Sequence, residues 1–446
     1  MSVNGEIQAQ REMMRKALWA PTAGGIQIPT GAIPTPDGSM MVPVRDGIAE
    51  LERLSALNAS LQEELARVKS THFEFKRELQ PYIDHMPKSN EELYGQACTG
   101  DKVTVDSWRP TWIKNIRANA ERFGGFRKQS ISTVYEKFAG GSAIVVGSGP
   151  ALKRNGHLLS LTKQIPFVPV VSALHNFGYL MDMGAKVDYW MTLDAGPVVI
   201  PEVYEGGSKK NADGQIDEEY YWSLTENQTL VAFVGSDPLL FEKWRGPVLL
   251  FSAGIPDDAV QAELQAVEPN FHHFISSGGN VLGGATYFAR GILGCSTIVW
   301  VGNSQSFDYN HDFYGWKAAL NGNAGGTITW PDIYGLPVKT WPSYFNFKCW
   351  FDYLTNTMPG NWINATEGGI IGSYPQGNIR NIRQMSLMDA LTMFKGHQIL
   401  NPVMDGTTAH RPEGLDEEIK AISAQIQELQ QELQGRISQL RIPILF

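Results

Sequence analysis

Cysteine is scarce: three in 446 residues, Cys98, Cys295 and Cys349, far apart and odd in number. Such spacing argues against a disulfide framework and for a reducing compartment. None has a second Cys or a His at ligand spacing, and His272, His273 and His311, the only histidines worth weighing as ligands, sit in polar stretches where histidine is mostly solvated, so structural zinc is not expected. Long apolar runs are missing too, and none approaches the ~20 residues needed to span a bilayer. Positive charge is thin, with Lys and Arg numbering 37 against 46 Asp and Glu for a net −9, and no block of it forms a stripe. Nucleic-acid and membrane-surface partners therefore have little electrostatic support. The opening MSVNGEIQAQREMMRKALWA carries charge but no apolar stretch behind it, so no signal peptide and a cytoplasmic location are expected.

What is present is core material: 43% apolar residues, 11% aromatic, in a length with room for about two to three domains. Four regions are expected. Residues 1–47 form an arm whose Pro- and Gly-rich part, 20–45, cannot build a core and is either a flexible tail or lies extended on another surface. A helical region, 48–135, opens with Leu51, Leu54, Leu57, Leu61, Leu65 and Val68 at spacings of three and four. An α/β domain covers 136–400. A linker and a C-terminal amphipathic helix, 401–446, carry Ile419, Ile422, Ile426, Leu429 and Leu433 in a 3-4-3-4 pattern of coiled-coil character. Heptads this short are marginal alone, which leaves two equal readings: pairing, with each other in one chain or between chains and so as self-association or with a protein partner, and packing as surface helices on the globular body.

In the third region, short apolar runs alternate with helix-like stretches: AIVVG, FVPVVS, YWMTLD, TLVAFVG, PVLLFS and TIVWVG. That texture argues for a mostly parallel sheet with helices on both faces, and ligands of such sheets collect at the carboxyl ends of the strands. The first run passes into Gly147, Ser148, Gly149 and Pro150 and then a helix. A strand–glycine–helix turn presents unpaired amides at the positive end of a helix, where phosphate binds. It also serves as a plain tight turn, and the third glycine of a dinucleotide fingerprint is replaced by Leu152. The other strand-end loops add Ser172, Asp194, Gly235-Ser236-Asp237, Ser277-Gly278-Gly279-Asn280 and Gly302-Asn303-Ser304. Small and hydroxylated residues suit close approach to a nucleotide. Asp194, the sole carboxylate closing a buried-looking strand, is placed to hold a divalent cation or accept a proton, or else to cap a turn.

The order of the motifs AIVVGSGPAL, VDYWMTLD, WRGPVLLF, SGGNV, LGCSTIVWVGNSQSF and INATEGGIIGS, with Asn115, Ile116 and Asn119 ahead of them, resembles the family that holds the 6-hydroxymethylpterin diphosphokinase MptE-like proteins and the motility-associated-factor glycosyltransferases. The resemblance covers roughly 110–400. It implies a Rossmann-like doubly wound domain that takes a nucleotide or nucleotide-sugar donor, with Mg²⁺ as an accompanying metal. By position, Gly147 to Pro150 would cradle phosphate and Asp194 would stand by the reacting group or its metal. Gly278 and Gly279 would face the nucleotide, and Asn364, Glu367 and Gly368 would close the acceptor side, Glu367 as a second catalytic carboxylate. Two positions depart from the family pattern: Ala151 where a Ser is usual, and Ser304 where an Asp is usual, for which Asp308 or Asp312 would have to substitute. The expectation is a transferase moving a glycosyl or diphosphate group to a hydroxyl. Its alternative is a non-catalytic assembly protein, such as a virion component, that retains the fold.

Overall fold

Runs rich in Val, Ile and aromatics, cut by Gly and Pro, become strands because branched and ring side chains fit a pleated buried surface. The computed structural model describes residues 86–400, apart from 256, 270, 272–273, 308–326, 376, 378 and 380, together with one antiparallel pair in the arm, β1 (Ile33–Pro34) and β2 (Met40–Met41). The rest of the arm, the 48–79 helix, the heptads from Ile419, His272, His273, His311, Asp308 and Asp312 lie outside the described residues. Contacts divide the chain after Thr392. The second unit is described only to Leu400, and the sheet and the candidate site belong to the first.

All six apolar runs are strands of one sheet: β3 (Ser142–Val146), β4 (Val170–Ala173), β5 (Tyr189–Thr192), β6 (Leu230–Phe233), β7 (Val248–Ala253) and β9 (Thr297–Val301). Short β8 (Phe274–Ile275) and the late strands β12 (Asn361–Asn364) and β13 (Ile382–Gln384) complete it, while β10 (Ile328–Pro331) and β11 (Pro337–Thr340) form a separate hairpin. The nine strands run in the order β13-β12-β9-β3-β4-β5-β6-β7-β8, and every neighbouring pair is parallel. This is a Rossmann-like α/β sheet. Its central strands are buried on both faces, which is why they read as continuous apolar runs and not as alternations. Burying one such Val, Ile or Leu side chain contributes about 1.5–3 kcal/mol.

The chain climbs outward from β3 to β8, then returns to β9 on the other flank of β3. The sheet therefore reverses between β3 and β9, which makes the carboxyl ends of these two strands its switch point. Helices α1 (Asn90–Ala97) and α2 (Asp101–Phe123) precede the sheet in sequence. Asn115 and Asn119 are one turn apart on α2 and buried. Asn115 donates to the carbonyls of Ala195 (2.8 Å) and Gly235 (3.0 Å), and Asn119 to those of Val234 and Ser236 (both 2.9 Å). These bonds satisfy strand-end carbonyls that lack a ladder partner and fasten α2 across the carboxyl edge of β5 and β6. The helices that bear on the site are α3 (Leu152–Asn155), α4 (Val199–Glu202), α5 (Asp258–Val267), α6 (Val281–Tyr287), α7 (Pro342–Thr357) and α8 (Leu387–Leu400). Arg109 and Arg117 of α2 pair with Asp257, the N-cap of α5, and with Glu263 within it. No helix among the described residues is long and apolar enough to cross a membrane.

Candidate functional site

At the switch point the two loops grip each other. The Gly147 amide donates to Val301 O and the Gly149 amide to Gly302 O, each at 2.8 Å. A Cβ on Gly149 would lie 2.5 Å from Gly302 O and 2.6 Å from Ser304 Oγ, and one on Gly302, at φ +65°, would lie 2.4 Å from Gly147 O. These glycines are required by loop-to-loop contact before any ligand is considered. Two of the amides expected to hold phosphate are thus used internally. The Ser148 and Ala151 amides make no hydrogen bond among the described residues.

Beside them opens a crevice of about 410 Å³. Its floor is Gly147 to Pro150 with Gly302 and Ser304 to Ser306. One wall is Gly279 to Leu282 at the start of α6, the other Leu193, Asp194, Val198 and Glu202, and Tyr344 and Phe347 stand at its edge. Three lining side chains hold buried polar atoms without a partner: Ser304 Oγ, Asn280 Nδ2 and Gln305 Oε1. Ser304 is only 3% exposed. Unpaired buried groups of this kind cost about 1–3 kcal/mol each, and all three belong to residues that line the crevice. Gln305 adds backbone strain at φ +49°, and its carbonyl is held by Thr340 Oγ.

The charge in the crevice is acidic. Burial pushes the Asp194 carboxyl above the usual range, and Glu202 is raised well above it by burial, by Asp194 and by Glu205. Asp194 makes no side-chain hydrogen bond among the described residues, so it is not the turn cap its sequence context permits. His175 stands between the acids, Nδ1 3.9 Å from Glu202 Oε1 and Nε2 3.6 Å from Glu205 Oε2. No Lys or Arg is among the described residues lining the crevice. Among the described residues no three His, Cys, Asp or Glu side chains converge as a metal site, so a cation here would need Asp194 together with oxygens supplied by the ligand. Two buried carboxyls raised toward neutrality suit acid–base work on a hydroxyl.

No family model and no curated protein matches this chain. Among solved structures, the Maf glycosyltransferase from Magnetospirillum magneticum AMB-1 is similar at 15% identity and a TM-score of 0.41, over 59% of this chain and 37% of that one. The chain thus spans little more than a third of that protein.

Of the residues picked out from the sequence, Gly147, Ser148, Gly149, Pro150, Asp194, Gly279, Asn280, Gly302 and Ser304 line the crevice, and Gly278 lines an adjoining cleft against Trp350. Ser172, Asn303, Asn364, Glu367 and Gly368 do not. Ser172 Oγ bonds Ala173 O and accepts from Asn176 beneath the strand end. Asn364 Oδ1 accepts from the Thr366 amide, and Asn303 is tied to Thr366 and Gln305. The Glu367 carboxylate accepts from Asn155 Nδ2 (3.1 Å) and from the amide of Leu387, the first residue of α8, which leaves it a buried structural acceptor and not an acid facing the crevice. A Cβ on Gly368 would meet the Arg154 guanidinium at 2.9 Å. This segment buttresses the crevice from behind: the Ile370 amide bonds Ser304 O, and Gly369 at φ +79° lets the two backbones touch. Sequence reasoning passed over Glu202, His175 and Gln305. Glu202 lies on the single turn α4, well beyond the end of β5, and nothing local marks it.

Proposed function

We propose that the crevice takes a nucleotide or nucleotide-sugar donor and that the protein is a transferase acting on a hydroxyl. The observation that carries this reading is a switch-point crevice lined by Ser148, whose amide makes no hydrogen bond among the described residues, by Asn280 and Ser304, and by the buried carboxyls of Asp194 and Glu202. Ser304 and Asn280 bond sugar hydroxyls, and the Ser148 and Ala151 amides face the phosphates. Asp194 takes the proton of the acceptor hydroxyl, whose oxygen bonds the donor's transferred carbon or phosphorus as that atom's bond to the nucleotide's phosphate oxygen breaks, and the nucleotide departs with that oxygen and the bonding pair. A placed general base of this type is worth roughly 10²–10⁴ in rate. Mg²⁺, where the donor needs it, would be held by Asp194 and phosphate oxygens.

Calorimetry of the full chain with CMP, CDP, ATP and GTP, with and without Mg²⁺, tests the reading. Binding of at least one, weakened about two- to tenfold by Ser304→Ala, is expected. Failure of all four to bind at millimolar concentration overturns it. A second reading, an assembly protein that retains the fold, is favoured by two observations: the Gly147 and Gly149 amides are already bonded, and no described Lys or Arg lines the crevice. Deleting 1–45 and 412–446 and measuring oligomeric state separates the two, since only the assembly reading requires the mass to fall.

A further inference from the structure

On the other side of Asp194 and Gly279 lies a second cleft of about 280 Å³, between α1, α2 and the carboxyl edge of the sheet. Its walls are aromatic. Trp112 of α2 and Phe233 at the end of β6 meet at a right angle, with centroids 6.2 Å apart and planes at 88°. Trp350 of α7 lines it as well, and Tyr94 and Trp108 line it while staying 51% and 36% exposed. The Trp108 ring is seated against Gly196, where a Cβ would come within 3.0 Å of it. Asp194 is the acidic group in the lining, and no Lys or Arg is among the described lining residues.

We propose that this cleft binds an organic cation, an alkylated ammonium of the choline type. Ring faces carry negative quadrupole density that attracts a cation, and Trp108 and Tyr94 are the lining rings that keep open surface, with the edge-to-face pair of Trp112 and Phe233 packed behind them. Asp194 lines both the cleft and the crevice, and since burial raises its carboxyl, a cation bound beside it draws it to the carboxylate and is held by the charge so formed. A neutral guest fills the same volume but gains nothing from that carboxyl. An anion meets both the carboxyl and the ring faces. The apolar walls favour an alkylated ammonium over a bare one, because its weaker hydration lowers the cost of entry. Asp194 is shared with the crevice, but the proposal for the cleft holds whether or not the crevice takes a nucleotide.

The experiment titrates the full chain with choline chloride and, separately, with its neutral isostere 3,3-dimethylbutan-1-ol, at matched ionic strength, read by tryptophan fluorescence and calorimetry. Choline is expected to bind at least tenfold more tightly than the alcohol. Trp108→Ala, at a partly exposed position, is expected to weaken choline roughly two- to thirtyfold, the range of a cation–π contact. Asp194→Asn is expected to weaken choline and leave the alcohol unchanged. Equal binding of choline and the alcohol reduces the cleft to an apolar pocket and overturns the proposal, as does binding of neither. If a variant fails to fold, the comparison of the two ligands on the unaltered chain still decides. Nucleotide titrations run in parallel keep failure here distinct from failure of the transferase reading.

Discussion

Lys348 and Asp352, one turn apart on α7, form an ion pair with side chains 0% and 1% exposed. The Lys348 ammonium also sits 3.7 Å from the ring centroid of Tyr374 and 5.6 Å from that of Trp330, and the Tyr374 hydroxyl donates to Asp352 Oδ2 at 2.7 Å. Burial, and then Asp352, push the Tyr374 hydroxyl far upward, so it remains a neutral donor. Asp352 Oδ1 has no hydrogen-bond partner, so the carboxylate relies on this one ammonium. Lys348→Met removes that partner and leaves a buried carboxylate with a single hydroxyl donor, a change that costs about 3–5 kcal/mol. With a urea slope of ~3 kcal/mol/M, at the upper end for domains, the midpoint should fall by about 1–2 M. Lys348→Met combined with Asp352→Leu removes both charges and should restore the midpoint to that of the unaltered chain or above it, by up to ~4 kcal/mol. The measurement is urea unfolding of both single variants and the double, followed by fluorescence and circular dichroism. A shift of under ~0.3 M for Lys348→Met, or a double variant less stable than both singles, would refute the account of the pair as a desolvated charge balanced by one partner.

The same geometry has other consequences. Glu202 has a raised folded-state pKa, so its contribution to stability is fully present below its unfolded value, near 4.5, and is lost as pH rises through the folded value. Glu202→Gln should therefore raise the melting temperature at pH 7–8 and not at pH 4, and an equal shift at both would contradict the assignment. Gly149→Ala forces a methyl against Gly302 O and Ser304 Oγ and should cost about 1–3 kcal/mol in urea unfolding. Asn119→Ala should cost about 1–3 kcal/mol, because two strand-end carbonyls lose their buried donor. Burial pushes the Cys295 and Cys349 thiols up to about 12, so a thiol reagent should label Cys98 in the native protein and all three cysteines only after unfolding. Rapid native labelling of Cys295 or Cys349 would show these positions to be open.

The strands were legible because a parallel strand buried on both faces must be apolar along its whole length, and all six such runs in the sequence are strands. Asp194 was legible for a related reason: a carboxylate directly after a buried strand stands out against its surroundings. The glycine turn after β3 was legible as a turn but not in its role. Its glycines answer to Gly302, more than 150 residues away, and no local pattern carries that distance. Glu367 shows the same limit in reverse. The run INATEGG is distinctive, yet its carboxylate is occupied by Asn155 and by the Leu387 amide, partners that only folding delivers.

The sequence by itself determined the class of fold and put the glycine turns and Asp194 at the carboxyl edge of the sheet, because hydrophobic period and glycine placement are local properties of the chain. Only the tertiary structure decided which groups face that edge. The return of β9 to the flank of β3 sets Ser304 beside Gly149, and the crossing of α2 brings Trp108 and Trp112 to Asp194. Those meetings depend on strand order, and strand order is a property of the whole chain.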